Sequence, residues 1–310
     1  MVQRRRVLSV VVNDGVHGYL LFKINVNHLF SSSQSQETKM RCLPAPITRF
    51  ATIADRPERI DFALAGGGAT LVGVSNQPVA LSSSRSAVAG SASSSAAAGP
   101  PAWTSRSAKP WSPEPGAGSP PDLVHSSRDN PACTVTACFA AGTRLWVSAT
   151  DRGTYSVDTT HGWRKEGDWE LPFQCRGFLV PDLGAGLCFG LCPRTTRLCA
   201  WDVRRSPPPA RYAWDDTRPC WPTSFSQENV RAVARFPDSS LAYLGDGEFC
   251  IAWTIGISEE NSSIRQRALW LMGVKIGKNS PSAPLRLLHH KSCIYELPDR
   301  ALMANALHVD

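Results

Sequence analysis

The cysteines Cys188, Cys192 and Cys199 form the tightest cluster of metal-ligating or nucleophilic side chains in the sequence. A structural zinc site needs paired Cys-x2-Cys knuckles or a nearby histidine, and the spacing Cys-x3-Cys-x6-Cys supplies neither. Because side chains alternate along a strand, Cys188 and Cys192 would share one face. The spacing therefore favours thiols buried in a core over a metal site.

Two other groups of side chains could do chemistry. His289-His290 lies shortly before Cys293, but a metal would need two more ligands, so we interpret the pair as exposed loop histidines. Paired carboxylates hydrolyse glycosides, and one short stretch is rich in carboxylates. They alternate between predicted strands and turns, which favours turn capping, and they are Asp151, Asp158, Glu166, Asp168 and Glu170.

Motifs for nucleophilic or phosphate chemistry are missing. The chain has no Gly-x-Ser-x-Gly nucleophile elbow and no glycine loop ending in Gly-Lys-Ser/Thr. Asp202, directly after Trp201, is expected to accept hydrogen bonds in a turn at the end of a strand. We therefore predict no catalytic residue, no metal ligand and no cofactor.

Short apolar runs separated by Gly, Pro, Asp or Asn predict an all-β fold of antiparallel strands. Residues 264–274 are the one stretch whose apolar residues also fit the period of a helix. The predicted strands are 7–12, 19–26, 60–65, 69–74, 133–139, 144–149, 153–158, 177–180, 186–191, 197–203, 241–244 and 249–255.

Eight of the ten tryptophans lie beyond residue 122. Large aromatic residues at intervals suit packing between sheets or between propeller blades. The spacing from Leu145 to Leu187 is roughly 42 residues, which falls within the length of one propeller blade. Four tryptophans are expected either in this core or in an aromatic patch that receives a partner peptide, namely Trp146, Trp163, Trp169 and Trp201.

The stretch Gly153–Asp158 (GTYSVD), followed by Trp163 and by GDWELPF at 167–173, resembles the signature of a large group of cereal-plant proteins of unknown function. The segments LCAWDV at 198–203 and YLGDGEFC at 243–250 resemble later strands of that group. The group is similar to kelch and F-box-associated propellers. The resemblance implies a kelch-type β-propeller and, since the group has no established activity, no particular function.

Composition divides the chain into three parts. Of the 40 residues from 82 to 121, 32 are Ser, Ala, Gly or Pro, so this segment buries too little apolar surface to fold and is predicted to be a disordered insertion. Residues 1–81 would form the N-terminal blades, and residues 122–310 the main Trp-rich part. We predict an all-β, kelch-type propeller that is incomplete if the insertion takes the place of a blade.

The distribution of charge and the length of the apolar runs indicate which kinds of partner to expect. Residues 1–121 hold 12 Lys and Arg against 6 Asp and Glu, but residues 122–310 hold 21 against 20, so we expect no nucleic-acid partner. No run approaches the ~18 apolar residues of a membrane helix, so we expect no membrane partner. The first apolar run, residues 7–12, is too short for a secretory signal. We therefore expect reduced thiols and an intracellular protein of the cytoplasm or nucleus.

Three functions fit these observations. The first is a non-catalytic propeller-like scaffold whose loops bind a protein or peptide partner of unknown identity. The alternative is a hydrolase acting on glycans at the propeller centre, which two or three converging carboxylates would favour. The third is a degenerate product that retains no function.

Overall fold

The protein is described by a computed structural model. The described residues are 6–14, 18–31, 40–51, 60–65, 70–75, 82–84, 135–158, 161–217, 230–259, 266–280, 283–298 and 301–308.

The predicted all-β class is confirmed, because the described residues form strands and two short 3-10 helices, at Asn27–Phe30 and Asp215–Thr217. None of the described helices is long enough to cross a bilayer. The first ten strands are β1 (Val7–Asn13), β2 (Gly18–Asn25), β3 (Arg41–Cys42), β4 (Thr48–Ala51), β5 (Ile60–Ala65), β6 (Thr70–Ser75), β7 (Ser82–Ser84), β8 (Val135–Ala141), β9 (Arg144–Ala149) and β10 (Gly153–Asp158). The others are β11 (Gly162–Gly167), β12 (Gln174–Leu179), β13 (Leu187–Leu191), β14 (Leu198–Asp202), β15 (Ala210–Ala213), β16 (Val230–Gly245), β17 (Glu248–Glu259), β18 (Gln266–Gly277), β19 (Arg286–Leu297) and β20 (Leu302–His308).

These strands form three larger sheets and the separate hairpin β5–β6. The terminal sheet has the order β20-β1-β2-β4-β7, so the first and last described strands pair with each other. The central sheet has the order β16-β17-β18-β19-β3. The third sheet has the order β11-β10-β9-β8-β12-β13-β14-β15. Antiparallel neighbours dominate, as expected for strands joined by short turns.

The eight-stranded sheet consists of two four-stranded units. β8 to β11 form one antiparallel meander, and β12 to β15 form a second. The two units are joined by a short parallel pairing of β12 with β8, in which Cys175 lies opposite Ala137 and Arg176 opposite Cys138. β16 to β19 form a third antiparallel meander of four strands, which are longer than those of the other two units. The described sheets show no closed ring, so the kelch-type propeller stays a prediction.

The central sheet is buried on both faces. Along β17, Phe249, Ile251 and Trp253 pack against the unit β12–β15, whereas Cys250 and Ala252 pack against the terminal sheet. This alternation follows the two-residue period of a strand, with both faces apolar instead of one. The sheets are therefore stacked in the order terminal sheet, central sheet, unit β12–β15 and unit β8–β11.

Of the stretch 264–274, which also fits a helical pattern, residues 266–274 belong to the strand β18, so the helical interpretation is wrong for these described residues. Trp270 and Met272 face the unit β12–β15, and Leu269 and Leu271 face the terminal sheet. A strand that is apolar on both faces has no alternation between apolar and polar residues. Periodicity alone then does not separate it from a buried helix.

A buried carboxylate links the terminal sheet to the central sheet. Glu248 begins β17, is buried, and accepts hydrogen bonds from Arg6 (Nε–Oε2 2.5 Å and Nη2–Oε1 3.0 Å) and from Lys275 (Nζ–Oε1 3.1 Å). A buried carboxylate costs free energy unless it is paired and hydrogen-bonded, and these two cations satisfy that requirement. The Ser240 hydroxyl joins the same sheets by donating to the carbonyl and accepting from the N–H of Ala306, each at 3.2 Å.

The predicted insertion lies mostly outside the described residues. Ser82–Ser84 form β7, which pairs with β4 at the edge of the terminal sheet. Residues 85–121 are outside the described part of the chain. The division at residues 81 and 121, and the disorder between them, therefore stay predictions.

Replacement of Phe189 tests the contact between the central sheet and the unit β12–β15. Phe189 is fully buried, with its ring centroid 5.1 Å from that of Phe249. Because Phe189→Ala removes a buried ring and leaves a cavity, we expect it to lower the free energy of unfolding by about 3–5 kcal/mol in urea denaturation. Leu145→Ala, at a side chain that is 38% exposed on β9, should cost less than about 1 kcal/mol. Equal losses in the two variants would contradict the stacked arrangement.

Candidate functional site

The four predicted tryptophans do not converge on one surface patch. Trp201 is buried in a core cluster between the units β8–β11 and β12–β15, and Trp146 and Trp169 pack at its margin. The Trp146 ring stacks on Phe139, with centroids 4.8 Å apart and planes 7° apart. Trp163 lies half-buried on β11, outside this cluster, opposite Val157. Three of the four thus pack with the core, and Trp163 alone lies apart.

The chain segment between β11 and β12 has a structural role. Leu171 and Phe173 are buried in the same cluster, and the Phe173 ring lies 5.4 Å from that of Trp201. Gly177 and Gly190 make room for it, because a Cβ at either position would come within 2.7 Å of the Phe173 side chain. Leu171 and Phe173 of the motif LPF at 171–173 therefore pack between the two four-stranded units.

The carboxylates that could have suggested glycoside hydrolysis are engaged in local ion pairs. Glu166 accepts hydrogen bonds from Arg164 (Nη2–Oε2 2.7 Å) and from the Ser156 hydroxyl (2.6 Å), and the Arg164 hydrogen bonds lower the pKa of Glu166. Lys165 lies 2.5 Å from Asp168 and lowers the pKa of that carboxyl by hydrogen bonding. Both carboxylates are held ionised, which does not suit a general acid.

The remaining carboxylates of that stretch also serve local structure. Asp158 pairs with Arg144 at 3.7 Å and with His161 at 3.5 Å. Glu170 accepts a hydrogen bond of 3.3 Å from the backbone N–H of Asp151. The Glu170 contact caps the turn between β9 and β10 as expected, whereas Asp158 and Arg144 form an ion pair between neighbouring strands.

The cysteine cluster lies on the hairpin β13–β14. Cys188 and Cys199 are buried, and burial raises the pKa of both thiols, that of Cys199 to about 11. Cys192 follows the end of β13 and is only half-buried. In the part of the chain that the structure describes, no three His, Cys, Asp or Glu side chains are grouped so that they could hold a metal ion.

The histidine pair does not lie in a loop, because His289 and His290 belong to β19. His289 is half-buried, and its Nε2 is 2.9 Å from the carbonyl oxygen of Leu29. The sequence interpretation was wrong because the run around them is mixed in polarity, as an edge of a buried strand often is. His289 thus joins the first 3-10 helix to the central sheet, whereas His290 is exposed on the same strand.

A cavity of about 620 Å³ opens between the unit β12–β15 and the loop that joins β18 to β19. It lies at one end of the apolar contact between the central sheet and this unit. The polar and ring side chains in its wall are Asp202, Arg204, Arg211, Tyr212 and Lys278.

Asp202 organises the wall of this cavity. Strand alternation points Trp201 into the core and Asp202 to the opposite face of β14. Asp202 is 1% exposed and accepts hydrogen bonds from Arg204 (Nε–Oδ1 2.9 Å and Nη2–Oδ2 3.0 Å) and from Arg211 (Nη2–Oδ2 3.3 Å). The Arg204 hydrogen bonds hold the pKa of Asp202 far below its usual range. The backbone N–H of Arg204 also donates to Asp202, so the expected turn acceptor is present.

The cavity has a surplus of positive charge. Three cationic side chains, Arg204, Arg211 and Lys278, surround the single carboxylate Asp202. The arginine side chains are 62% and 45% exposed, so their guanidinium groups remain open to solvent while they hold Asp202. Lys278 is exposed and has no ion pair among the described residues. This wall suits a negatively charged group.

A series of aromatic ring contacts holds Tyr212, which lines the cavity, in place. Tyr212 stacks on Trp214 with centroids 5.8 Å apart, and Trp214 stacks on Phe189 at 6.0 Å. Phe189 in turn contacts Phe249 of the central sheet at 5.1 Å. Tyr212 is therefore held by packing that reaches the middle of the fold.

Most residues of this site could not be identified from the sequence. Asp202 was identified as a turn residue, but Arg204, Arg211, Tyr212 and Lys278 carried no motif. The spacing of Asp202 and Arg204, two residues apart, was the only local signal. Lys278 comes from a different sheet, so only the stacking of sheets brings it to the cavity.

Asp202→Asn tests the ion pairs that shape the cavity. The substitution removes the charge that holds Arg204 and Arg211, so we expect a loss of about 1–3 kcal/mol in the free energy of unfolding at pH 7. Since the folded pKa of Asp202 lies below the unfolded value of about 3.9, the contribution is present above pH 4. It declines as the pH falls through the depressed folded pKa. The difference between wild type and variant in urea denaturation should thus shrink below pH 4, and a difference that stays constant down to pH 2 would contradict the assignment.

The comparisons with known proteins bear on the family alone. A family described as "Protein of unknown function (DUF1668)" matches residues 75–295, more than two thirds of the chain, including the hairpin of Cys192 and the cavity side chains. No curated protein matches the chain. No solved structure matches it either. The links to cereal-plant proteins, to kelch repeats and to F-box-associated proteins stay predictions, and the chain belongs to the DUF1668 family of proteins of unknown function.

Proposed function

We propose that this protein is a non-catalytic interaction scaffold with propeller-like organisation, and that the Asp202 cavity receives an acidic segment of a partner protein. The observation that carries the proposal is the surplus of cations around one buried carboxylate, next to a fixed tyrosine ring.

The stacking of four-stranded units supports the propeller-like part of the proposal. Propeller blades are four-stranded antiparallel sheets that pack face to face. β8–β11, β12–β15 and β16–β19 have this form, and successive units pack through apolar faces. Pairing of β1 with β20 joins the two ends of the described chain, as a ring of blades would require.

Charge and geometry favour a carboxylate ligand. Guanidinium groups bind carboxylates through two parallel hydrogen bonds, and Arg204 and Arg211 keep N–H groups available beyond those that bind Asp202. Lys278 supplies a further charge on the opposite wall. Tyr212 offers an apolar ring with a polar tip, a side chain enriched where proteins bind partners. An acidic residue flanked by an apolar one fits these three features.

The hydrolase hypothesis receives less support. Glycoside hydrolysis needs one protonated and one ionised carboxyl group beside the substrate. Asp202 is the single carboxylate among the described residues that line this cavity, and its pKa is lowered. Glu166 and Asp168 are held ionised by Arg164 and Lys165. The third hypothesis, a product without function, fits poorly with an apolar core that continues through four stacked layers.

Charge reversal at Lys278 tests the proposal without breaking the Asp202 ion pairs. The probe is an array of short acidic peptides, beside the same array with Asn and Gln in place of Asp and Glu. We expect selective binding to the acidic array, and we expect Lys278→Glu to weaken it about fivefold, the equivalent of the ~1 kcal/mol of an exposed ion pair. The measurement is fluorescence anisotropy with the best peptides.

Arg152→Glu provides the matched control, because Arg152 is exposed in the turn between β9 and β10 and does not line the cavity. This variant carries the same change in net charge and should bind like wild type. Equal binding to both arrays, or equal weakening by both variants, would contradict the proposal.

A further inference from the structure

The charges in the wall of the Asp202 cavity do not balance. The wall holds three cationic side chains, Arg204, Arg211 and Lys278, against the single carboxylate of Asp202, so two positive charges remain uncompensated. A ligand group with one negative charge would leave one of them without a counter-charge. A group with two negative charges would balance both. The charge of the wall therefore distinguishes between two classes of anion.

Asp202 holds the two arginines without facing the ligand. The carboxylate is buried, and both of its oxygens accept hydrogen bonds from guanidinium groups. A guanidinium carries five N–H donors, of which Arg204 uses two on Asp202 and Arg211 uses one. The remaining donors of both side chains have no acceptor among the described residues, and both side chains reach solvent. The two forks are thus oriented and still able to bind an anion.

The backbone before β13 positions Arg204. Gly186 has a φ of +77°, and a Cβ on this residue would come within 2.6 Å of the Cγ, Cδ and Nε atoms of Arg204. The Arg204 side chain therefore lies directly across Gly186, where the N–H of Val203 also donates to the Gly186 carbonyl at 3.0 Å. A side chain at residue 186 would displace Arg204 from Asp202. The cavity thus contains a cation whose place depends on a glycine in a left-handed conformation.

The cations reach the cavity from two sides. Arg211 lies in β15 and Arg204 follows β14, whereas Lys278 follows β18 of the central sheet. A carboxylate is planar, and a single guanidinium fork occupies both of its oxygens. A phosphomonoester has three acceptor oxygens in a tetrahedral arrangement and a charge of about −1.5 to −2 at pH 7. It has acceptors for the arginines on one side and for the lysine on the other.

We propose that the cavity recognises a phosphomonoester on a side chain of the partner segment, so that phosphorylation of the partner regulates its binding. This inference rests on the proposed function, because it names the anion that the same cavity prefers. Leu183, Leu187 and Pro284 give the wall an apolar part for the residue next to the phosphorylated one. A cavity of about 620 Å³ has room for both groups.

Three degenerate peptide libraries test the preference. They share one length and one mixture of flanking residues, and the central residue is Ser, Asp or phosphoserine. We expect phosphoserine to bind the full protein about fivefold more tightly than Asp, because the second negative charge adds the equivalent of one exposed ion pair, and Ser to bind most weakly. The measurement is fluorescence anisotropy at pH 7.5. Tighter binding of Asp than of Ser, with phosphoserine no tighter than Asp, would overturn this inference and leave the proposed function intact. Equal binding of all three libraries would overturn both.

The pH dependence of binding tests whether the phosphate itself is recognised. A phosphomonoester loses its second proton with a pKa of about 6, whereas an Asp side chain, with an ordinary pKa of about 3.9, is already ionised at pH 5. Histidine is the side chain that ordinarily titrates between about pH 5 and 8, and the described wall contains none. The ionisable side chains of the wall are those of Asp202, Arg204, Arg211, Tyr212 and Lys278. Since the wall favours the dianion, the phosphoserine library should bind more tightly as the pH rises from 5 to 7, and the Asp library should change little. An affinity for phosphoserine that stays constant over this range would overturn the inference.

Lys278→Gln separates the matching of charge from general attraction. The variant leaves one uncompensated positive charge in the wall, so the ratio of phosphoserine to Asp affinity should fall from about fivefold to near one. Lys278 is exposed, so the fold should be kept, and far-ultraviolet circular dichroism checks this. Arg152→Gln is the matched control, because Arg152 is exposed and does not line the cavity, and it should keep the ratio at about fivefold. An unchanged ratio in Lys278→Gln, or an equal fall in both variants, would overturn the inference.

Discussion

The structure depends on one packing constraint. The central sheet is apolar on both faces, so another layer must pack against each face. Phe249, Ile251 and Trp253 need the unit β12–β15 on one side, while Cys250 and Ala252 need the terminal sheet on the other. Burial of apolar surface is the dominant favourable contribution to folding, so neither neighbour can separate without exposing a continuous face. The stack of four layers follows from this requirement.

The same constraint places the candidate site. When two sheets meet through apolar faces, their turns converge at the ends of the contact, and polar residues from both can share a cavity there. Asp202 and Arg204 come from one side of this contact, and Lys278 comes from the other. The carboxyl group of Asp202 remains ionised because hydrogen bonds from Arg204 and Arg211 stabilise its negative charge. The strands β14 and β15 thus hold Asp202, Arg211 and Tyr212 in place, and the connecting segments that follow β14 and β18 add Arg204 and Lys278.

The sequence predicted the all-β class and most strands because β1, β9, β10 and β13 are short apolar runs between turn residues. It did not separate β18 from a helix, because both faces of that strand are buried. Asp202 was identified as a turn acceptor from its place after Trp201, since that contact is local. Lys278 and Tyr212 were not identified, because their meeting depends on contacts between distant sheets. Long-range packing of this kind leaves no spacing in the sequence.

Hydrogen exchange followed by mass spectrometry tests the two-faced central sheet most directly. Amides in the part of a protein that opens only on global unfolding exchange most slowly. We expect β17 and β18 to retain amide protons longest, longer than the edge strands β11 and β15. Exchange of β17 and β18 at the rate of β11 would show that the central sheet is not covered on both faces.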